Sequence, residues 1–254
     1  MTPGPFLLTW VGHATVLFEC ANGRLVTDPA LTRQLAHLRR RRPLAELPPV
    51  DGVLLSHLHM DHFHLPSLKR VAHHGTAVVP LGGESLLATR PFHDIRTVVP
   101  GDHVELAGFD IEVVHADHLH GRGPHSKLTA HPVGYVVRHQ GRAVYFGGDT
   151  DLFDAMADLG PIDVALIPIW GWGPTLGERH LDPTTAAQAV ELIDPRVVIP
   201  IHWGTYSPMR HRRGDPPWLE RPLGAFRGEL AARGLEGRMV ALEPGGSFPV
   251  PATT

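Results

Sequence analysis

Cysteine is nearly absent from this chain of 254 residues: Cys20 is the only one. No intrachain disulfide can form, and sites built on several thiolates are excluded. Any metal must therefore be held by nitrogen and oxygen. No apolar run approaches the roughly 20 residues of a membrane span. The N-terminus lacks a basic stretch followed by an apolar run and a cleavage site. The expectation is a cytoplasmic protein with no membrane partner. Charge is also modest. Lys and Arg total 23 against 26 Asp and Glu, a formal net charge of −3. No general polyanion-binding role follows, and no nucleic-acid partner is expected. Gly-x-Ser-x-Gly, the elbow that presents a serine nucleophile, does not occur. Linkers and low-complexity segments are missing as well, so residues 1–254 read as one domain.

Histidine is what the sequence has in excess, with 19 residues. Four of them share nine positions with an aspartate in SHLHMDHFH, residues 56–64. Taken alone, such a stretch can be a solvated loop; the rest of the chain decides.

Strand-like runs dominate the first half. FLLTWV and ATVLFEC precede Asn22-Gly23, a strong hairpin signal, and RLVTD follows. GVLLS reads as a short buried strand ending at the histidine cluster. A helix from Pro66 to Ala72, the strand TAVVP, a helix near Glu84 to Ala88 and strands at HVELAG and FDIEVVHA come next. The second half repeats the plan. VGYVVRHQGRAVYFGGDTD is strand, tight turn, strand and aspartate, and its QGRAVYFGGDT parallels the earlier NGRLVTDP. That parallel hints at a duplicated half. Helices at Leu152–Leu159, Pro183–Ile193 and Pro217–Arg233 alternate with strands at DVALIPI, RVVIPIH and GRMVALE. Strand-rich halves with their own helices predict two packed sheets with helices outside, an α+β arrangement.

His57, His59 and Asp61 alternate, and alternate side chains of an extended segment point the same way. His62 follows where the chain is expected to turn into a helix. One short segment can thus aim His57 and His59 at one point and Asp61 and His62 at another. That suits two ions about 3.5–4 Å apart. Further ligands are expected at other strand ends: His115 or His118 in EVVHADH, Asp149 in VYFGGDT and His202 in VVIPIHW. His118 is expected to complete the first point and His202 the second, with Asp149 bridging. The glycines before Asp149 permit close backbone approach. Imidazole and carboxylate suit zinc, manganese or iron. Two divalent ions, zinc first with manganese or iron as alternatives, are the expected cofactors.

With these residues assembled, the chain resembles the metallo-β-lactamase-fold hydrolase superfamily. The His-x-His-x-Asp-His signature stands as His57, His59, Asp61 and His62. More narrowly, it resembles the branch holding ascorbate-6-phosphate lactonase and N-acyl-phosphatidylethanolamine-hydrolysing phospholipase D. WVGHATVLFE, VTDP, LPPVDGVLLSHLHMDH, GGDT and IHWGTY carry the likeness, in that order. The resemblance implies a four-layer αββα sandwich with metals at one edge of the sheets. It selects His118 over His115, which becomes a second-layer or wall residue. His64 departs from the family's usual aspartate.

The function that follows is metal-dependent hydrolysis of a small ester, lactone or phosphodiester by a metal-bridging hydroxide. Asp61, Asp149 and His180 are the catalytic candidates. His180 lies in IWGWGPTLGERH, read as a substrate-pocket loop with Trp170 and Trp172. Asp28 is expected to support a ligand histidine. The sequence leaves His13 unassigned. Arg39–Arg42 is a charge run expected to be a solvated loop. A non-enzymatic metal-bearing sensor is the alternative. A di-iron redox protein is disfavoured, because such relatives place a carboxylate where His59 stands.

Overall fold

The computed structural model describes residues 4–71, 75–89, 92–123, 126–210, 214 and 216–251. In chain order the strands are β1 (Phe6–Gly12), β2 (Thr15–Cys20), β3 (Gly23–Thr27), β4 (Gln34–Leu35), β5 (Leu38–Arg40), β6 (Gly52–Leu54), β7 (Thr76–Pro80) and β8 (Asp94–Val98). They continue as β9 (His103–Leu106), β10 (Phe109–His115), β11 (Val133–His139), β12 (Arg142–Phe146), β13 (Val164–Pro168), β14 (Val197–Ile201), β15 (Tyr206–Pro208) and β16 (Gly246–Pro249). The helices are α1 (Leu65–Val71), α2 (Pro183–Ile193) and α3 (Arg221–Ala232).

Two sheets dominate. One runs β16-β1-β2-β3-β6-β7-β8, the other β14-β13-β12-β11-β10-β9. Each is antiparallel at one end and parallel at the other: β3, β6, β7 and β8 run together, as do β12, β13 and β14. β3 and β12 stand at the switch in each sheet, and Asp28 and Asp149 follow them. The duplicated half hinted at by the sequence is thus a property of the topology.

Alternation along the strands sorts the layers. Val16, Phe18 and Leu25 join Ile111, Val113 and Val137 in the core between the sheets. Leu17 and Val26, their neighbours, face outward onto Phe63, Leu68 and Val71 at α1. α2 and α3 cover the second sheet through Ala186, Ala189, Val190, Phe226 and Leu230. The order is helix, sheet, sheet, helix, the αββα sandwich.

Local chemistry explains most elements. Asp182 caps α2, accepting from the Thr184 and Thr185 amides, and Pro183 fills the first turn. Gln140 and Gly141, at φ 49° and 76°, make the two-residue turn between β11 and β12.

Several expectations are corrected. The first hairpin forms, but Cys20 pairs with Gly23, so Ala21-Asn22 is the turn and Gly23 begins β3. The helix expected at 66–72 begins at Leu65, and Ala72 lies outside the described residues. Glu84–Leu87 and Asp154–Asp158 are single 3₁₀ turns rather than α-helices. The stretch 217–233 splits into a 3₁₀ turn at Pro217–Leu219 and α3. GRMVALE is not a strand: only Met239 bridges, to Val198, before the chain crosses to pair β16 with β1. Arg39–Arg42 is a loop only in its second half, at Arg41 and Arg42. Arg39 and Arg40 lie in β5, part of a small sheet β15-β5-β4.

Candidate metal centre

β1, β3 and β6 run in one direction in the first sheet, and β10, β12, β13 and β14 share a direction in the second. His13, Asp28, His57, His118, Asp149 and His202 each follow one of these strands. One edge therefore collects them, as expected where parallel strands end. Tyr135 Oη donates to Leu55 O at 2.6 Å and the Val133 amide to Ser56 O at 2.9 Å, locking the histidine segment to the second sheet.

Beyond Ser56 the chain runs extended to His59 and then turns. The His62 and Phe63 amides both donate to His59 O. The turn splits the ligand candidates as the alternation predicts. His57, His59 and His118 offer ring nitrogens within 4.8 Å of one another. His13, Asp61, His62 and His202 form a second group on the same criterion. Asp149 reaches both. It groups with His118 and His180, and its oxygens lie 3.2 Å from His62 Nε2 and 3.2 Å from His202 Nε2.

The outer ring nitrogens are anchored, which fixes what the inner ones can do. His118 Nδ1 donates to Arg179 O at 2.7 Å, and His202 Nδ1 to Trp170 O at 2.8 Å. His62 Nδ1 meets Asp28 Oδ2 at 2.7 Å. Asp28 also accepts from the Ser56 amide at 2.8 Å and from Ser56 Oγ, whose oxygen is 2.9 Å from His57 Nδ1. With Nδ1 engaged outside, Nε2 is the atom each of these rings turns inward. Asp28 is thus in contact with a ligand candidate, as expected.

Close packing here needs glycine. Gly148 sits at φ 60°, and a Cβ on it would lie 2.6 Å from Ser56 Cβ. Asp28, His13, Arg179 and His202 are also left-handed, at φ 33°, 57°, 55° and 60°. Such strain, about 1–3 kcal/mol for each residue, gathers where surrounding structure overrides local preference.

Charge is divided sharply. Burial lowers His57 and takes His118 down to about 4, so both are neutral. Burial also works against the charge on Asp149, but His202 and His62 hold it well below the carboxylate range. Asp61 is lowered in the same way by His62 and His13. Burial opposes charge on His62 too, yet Asp149 and Asp61 outweigh it and raise its pKa well above normal. Two atoms stand out: His57 Nε2 and Asp149 Oδ1 are buried and make no hydrogen bond with any described residue. Inward-facing ring nitrogens, two ionised carboxylates and two buried acceptors without a hydrogen bond among the described residues fit a cation.

His180 joins the cluster from the loop after β13. Its Nε2 lies 3.3 Å from Asp149 Oδ2 and its Nδ1 donates to Glu178 O at 2.8 Å. Burial would lower its pKa, but Asp149 raises it. A cavity of about 450 Å³ opens over His59, Asp61, Asp149, His180 and His202, walled by Leu35, Leu38, Met60, Trp172 and Leu176. Trp172 lines it, whereas Trp170 serves through its carbonyl.

His13 belongs here although sequence reasoning left it open. It is buried, and its Nε2 is 2.9 Å from Asp61 Oδ2. Burial and His202 take its pKa to about 3, so it meets Asp61 as a neutral donor. Its signals were its place in WVGHATVLFE, a stretch shared with the family it resembles, and its position just after a strand-like run. His115 is exposed, with its ring on Phe153, and is neither wall nor second layer. His64 sits at the start of α1, its Nδ1 2.7 Å from Ser67 Oγ, away from the cluster.

Comparison with known proteins agrees with this geometry. A family model described as "Beta-lactamase superfamily domain" matches residues 16–203. A UPF0173 metal-dependent hydrolase of Methanopyrus kandleri is 32% identical over 248 residues, 95% of this chain and 98% of that protein. An N-acyl-phosphatidylethanolamine-hydrolyzing phospholipase D of Caenorhabditis elegans is 31% identical over 226 residues, 78% of this chain and 64% of that protein. In fold, the chain is similar to Igni18, a metallo hydrolase of Ignicoccus hospitalis, at TM-score 0.74 and 24% identity, covering 98% of this chain and 100% of that one. With the matched family spanning most of the chain and the histidine–aspartate clusters at its sheet edge, this protein belongs to the beta-lactamase superfamily, among its metal-dependent hydrolases.

Proposed function

We propose that the chain hydrolyses a small ester, lactone or phosphodiester with two divalent ions, zinc first, manganese or iron otherwise. His57, His59 and His118 would hold one ion, and Asp61, His62 and His202 the other, with Asp149 shared. The observation that carries the reading is the reach of Asp149 into both groups, together with its orphaned Oδ1 and that of His57 Nε2. When bound, two such ions acidify a bridging water and polarise the oxygen of the scissile group.

The chain's own residues supply the rest. Asp28, Arg179 O and Trp170 O hold the Nδ1 side of His62, His118 and His202, so that Nε2 is the atom each ring offers to an ion. His13 steadies Asp61. His180, its pKa raised at the cavity floor, carries a proton toward a leaving group. Leu35, Leu38, Met60 and Leu176 keep the cavity apolar and favour a substrate with an apolar part. Arg122, the cation in this wall, is engaged by the Leu58 and Phe63 carbonyls and is no ready anion clamp. A small-molecule substrate fits this cavity.

A panel of activated phosphodiesters, lactones, carboxylic esters and a β-lactam, assayed with zinc, manganese and iron, tests the proposal. Turnover of one of the first three classes is expected, with solvent oxygen entering the product on the first turnover in labelled water. Failure of the whole panel with fully loaded protein, or a covalent adduct trapped on a side chain, would contradict it.

A further inference from the structure

A second and larger cavity, of about 850 Å³, lies apart from the histidine cluster. Arg33, Arg39, Arg40, Arg41, Arg42 and Arg70 all line it, against a single carboxylate, Glu46. The pleat explains how one arginine run serves two purposes. Arg40 pairs with Tyr206 across the small sheet, and both side chains are buried. The Arg40 guanidinium donates to the carbonyls of Val11, Ala30 and Pro43 and is structural. Arg39, one residue earlier, points to the opposite face, where it is exposed. Leu35 and Leu38 line the cavity over the histidines, and Arg39 lines the basic one.

The arginines around this cavity differ in how they are held. Arg41 Nε donates to Ser207 Oγ at 2.6 Å, Arg42 pairs with Glu220, and Arg70 reaches Leu31 O. Among the described residues, the side chains of Arg33 and Arg39 make no hydrogen bond or ion pair. Gathering these cations in a protein of net charge −3 costs mutual repulsion that an anion would relieve. Guanidinium groups match phosphate oxygens through forked donors better than any other side chain. The prolines at 43, 48 and 49 stiffen the opposite wall.

We propose that this cavity binds a phosphoryl group, through Arg33 and Arg39 with Arg70 beside them, at a site separate from the histidine cluster. A soluble phosphate ester and a lipid headgroup both present the oxygens this site would bind.

The test uses metal-loaded protein titrated with glycerol phosphate by calorimetry at low ionic strength, and vesicles of phosphatidylglycerol by co-sedimentation. Arg33→Ala/Arg39→Ala and Arg33→Lys/Arg39→Lys are compared with the parent. One saturable site per chain is expected, weakened roughly tenfold or more in the alanine pair and less in the lysine pair. Metal content and Tm should not change, because both side chains are exposed and have no partner among the described residues. Vesicle binding that glycerol phosphate displaces and the alanine pair loses supports a headgroup. Glycerol phosphate binding without vesicle capture supports a soluble ester. Absence of saturation overturns the proposal, and so does equal affinity in the alanine pair, which would assign the phosphate to the histidine cluster.

Discussion

Asp28→Asn is the sharpest perturbation of the centre, because it changes a proton rather than a shape. Asp28 is fully buried and accepts from the Ser56 amide, Ser56 Oγ and His62 Nδ1. Removing the whole carboxylate with alanine would leave three buried donors unsatisfied, at about 1–3 kcal/mol each. That loss rivals a total stability of about 5–15 kcal/mol, so alanine would test folding instead. Asparagine keeps the volume and one acceptor oxygen for Ser56. Its amide NH₂ then faces His62 Nδ1, and two donors cannot share that contact. The ring must move its proton to Nε2, the atom that faces His202 and Asp149. Loss of such an outer partner costs roughly 10–100-fold in metal affinity, about 1.4–2.7 kcal/mol. The expected result is selective weakening of the ion held by Asp61, His62 and His202. Competition against a chelator of known affinity measures it, with Tm as the control for folding. Two ions bound as tightly as in the parent would refute the tautomer argument.

Other outcomes follow from the same geometry. Asp149→Ala should abolish turnover on any identified substrate while the sandwich survives, as circular dichroism and turnover together will report; near-normal turnover would remove Asp149 from the shared position. Metal loading at pH 7 should release about one proton per chain, because ligands must be deprotonated. His62, raised well above 6.5, carries that proton in stripped protein, whereas His57 and His118 are already neutral and Asp61 and Asp149 already ionised. The release should fade as pH rises through the His62 pKa, which calorimetry in buffers of different ionisation enthalpy detects.

The ligand candidates were legible because each follows a strand whose apolar run is unmistakable: GVLLS before His57, EVVHA before His118 and VVIPI before His202. Periodicity and the strand-end rule needed no tertiary knowledge, but the choice of His118 over His115 came from the family resemblance. His13 was not legible, because its importance comes from a left-handed turn that brings it to Asp61 across 48 positions. Asp94–Val98 was missed because DIRTV is a half-exposed outer strand with no clean alternation. Gly246–Pro249 reads locally as a proline-bounded loop, and only β1 makes it a strand. The last expected strand failed for the reverse reason: MVAL has strand-like residues but finds only one bridging partner on β14. In the arginine run, charge suggested a loop, whereas pairing with Tyr206 and Ser207 makes Arg39 and Arg40 strand, their side chains on opposite faces, and only Arg41 and Arg42 lie outside it.

Metal stoichiometry tests the central claim most directly. Protein purified without chelator, then stripped and reloaded with zinc or manganese, should hold about two ions per chain by elemental analysis, as a paired site requires. A content near zero that neither metal restores would contradict the account.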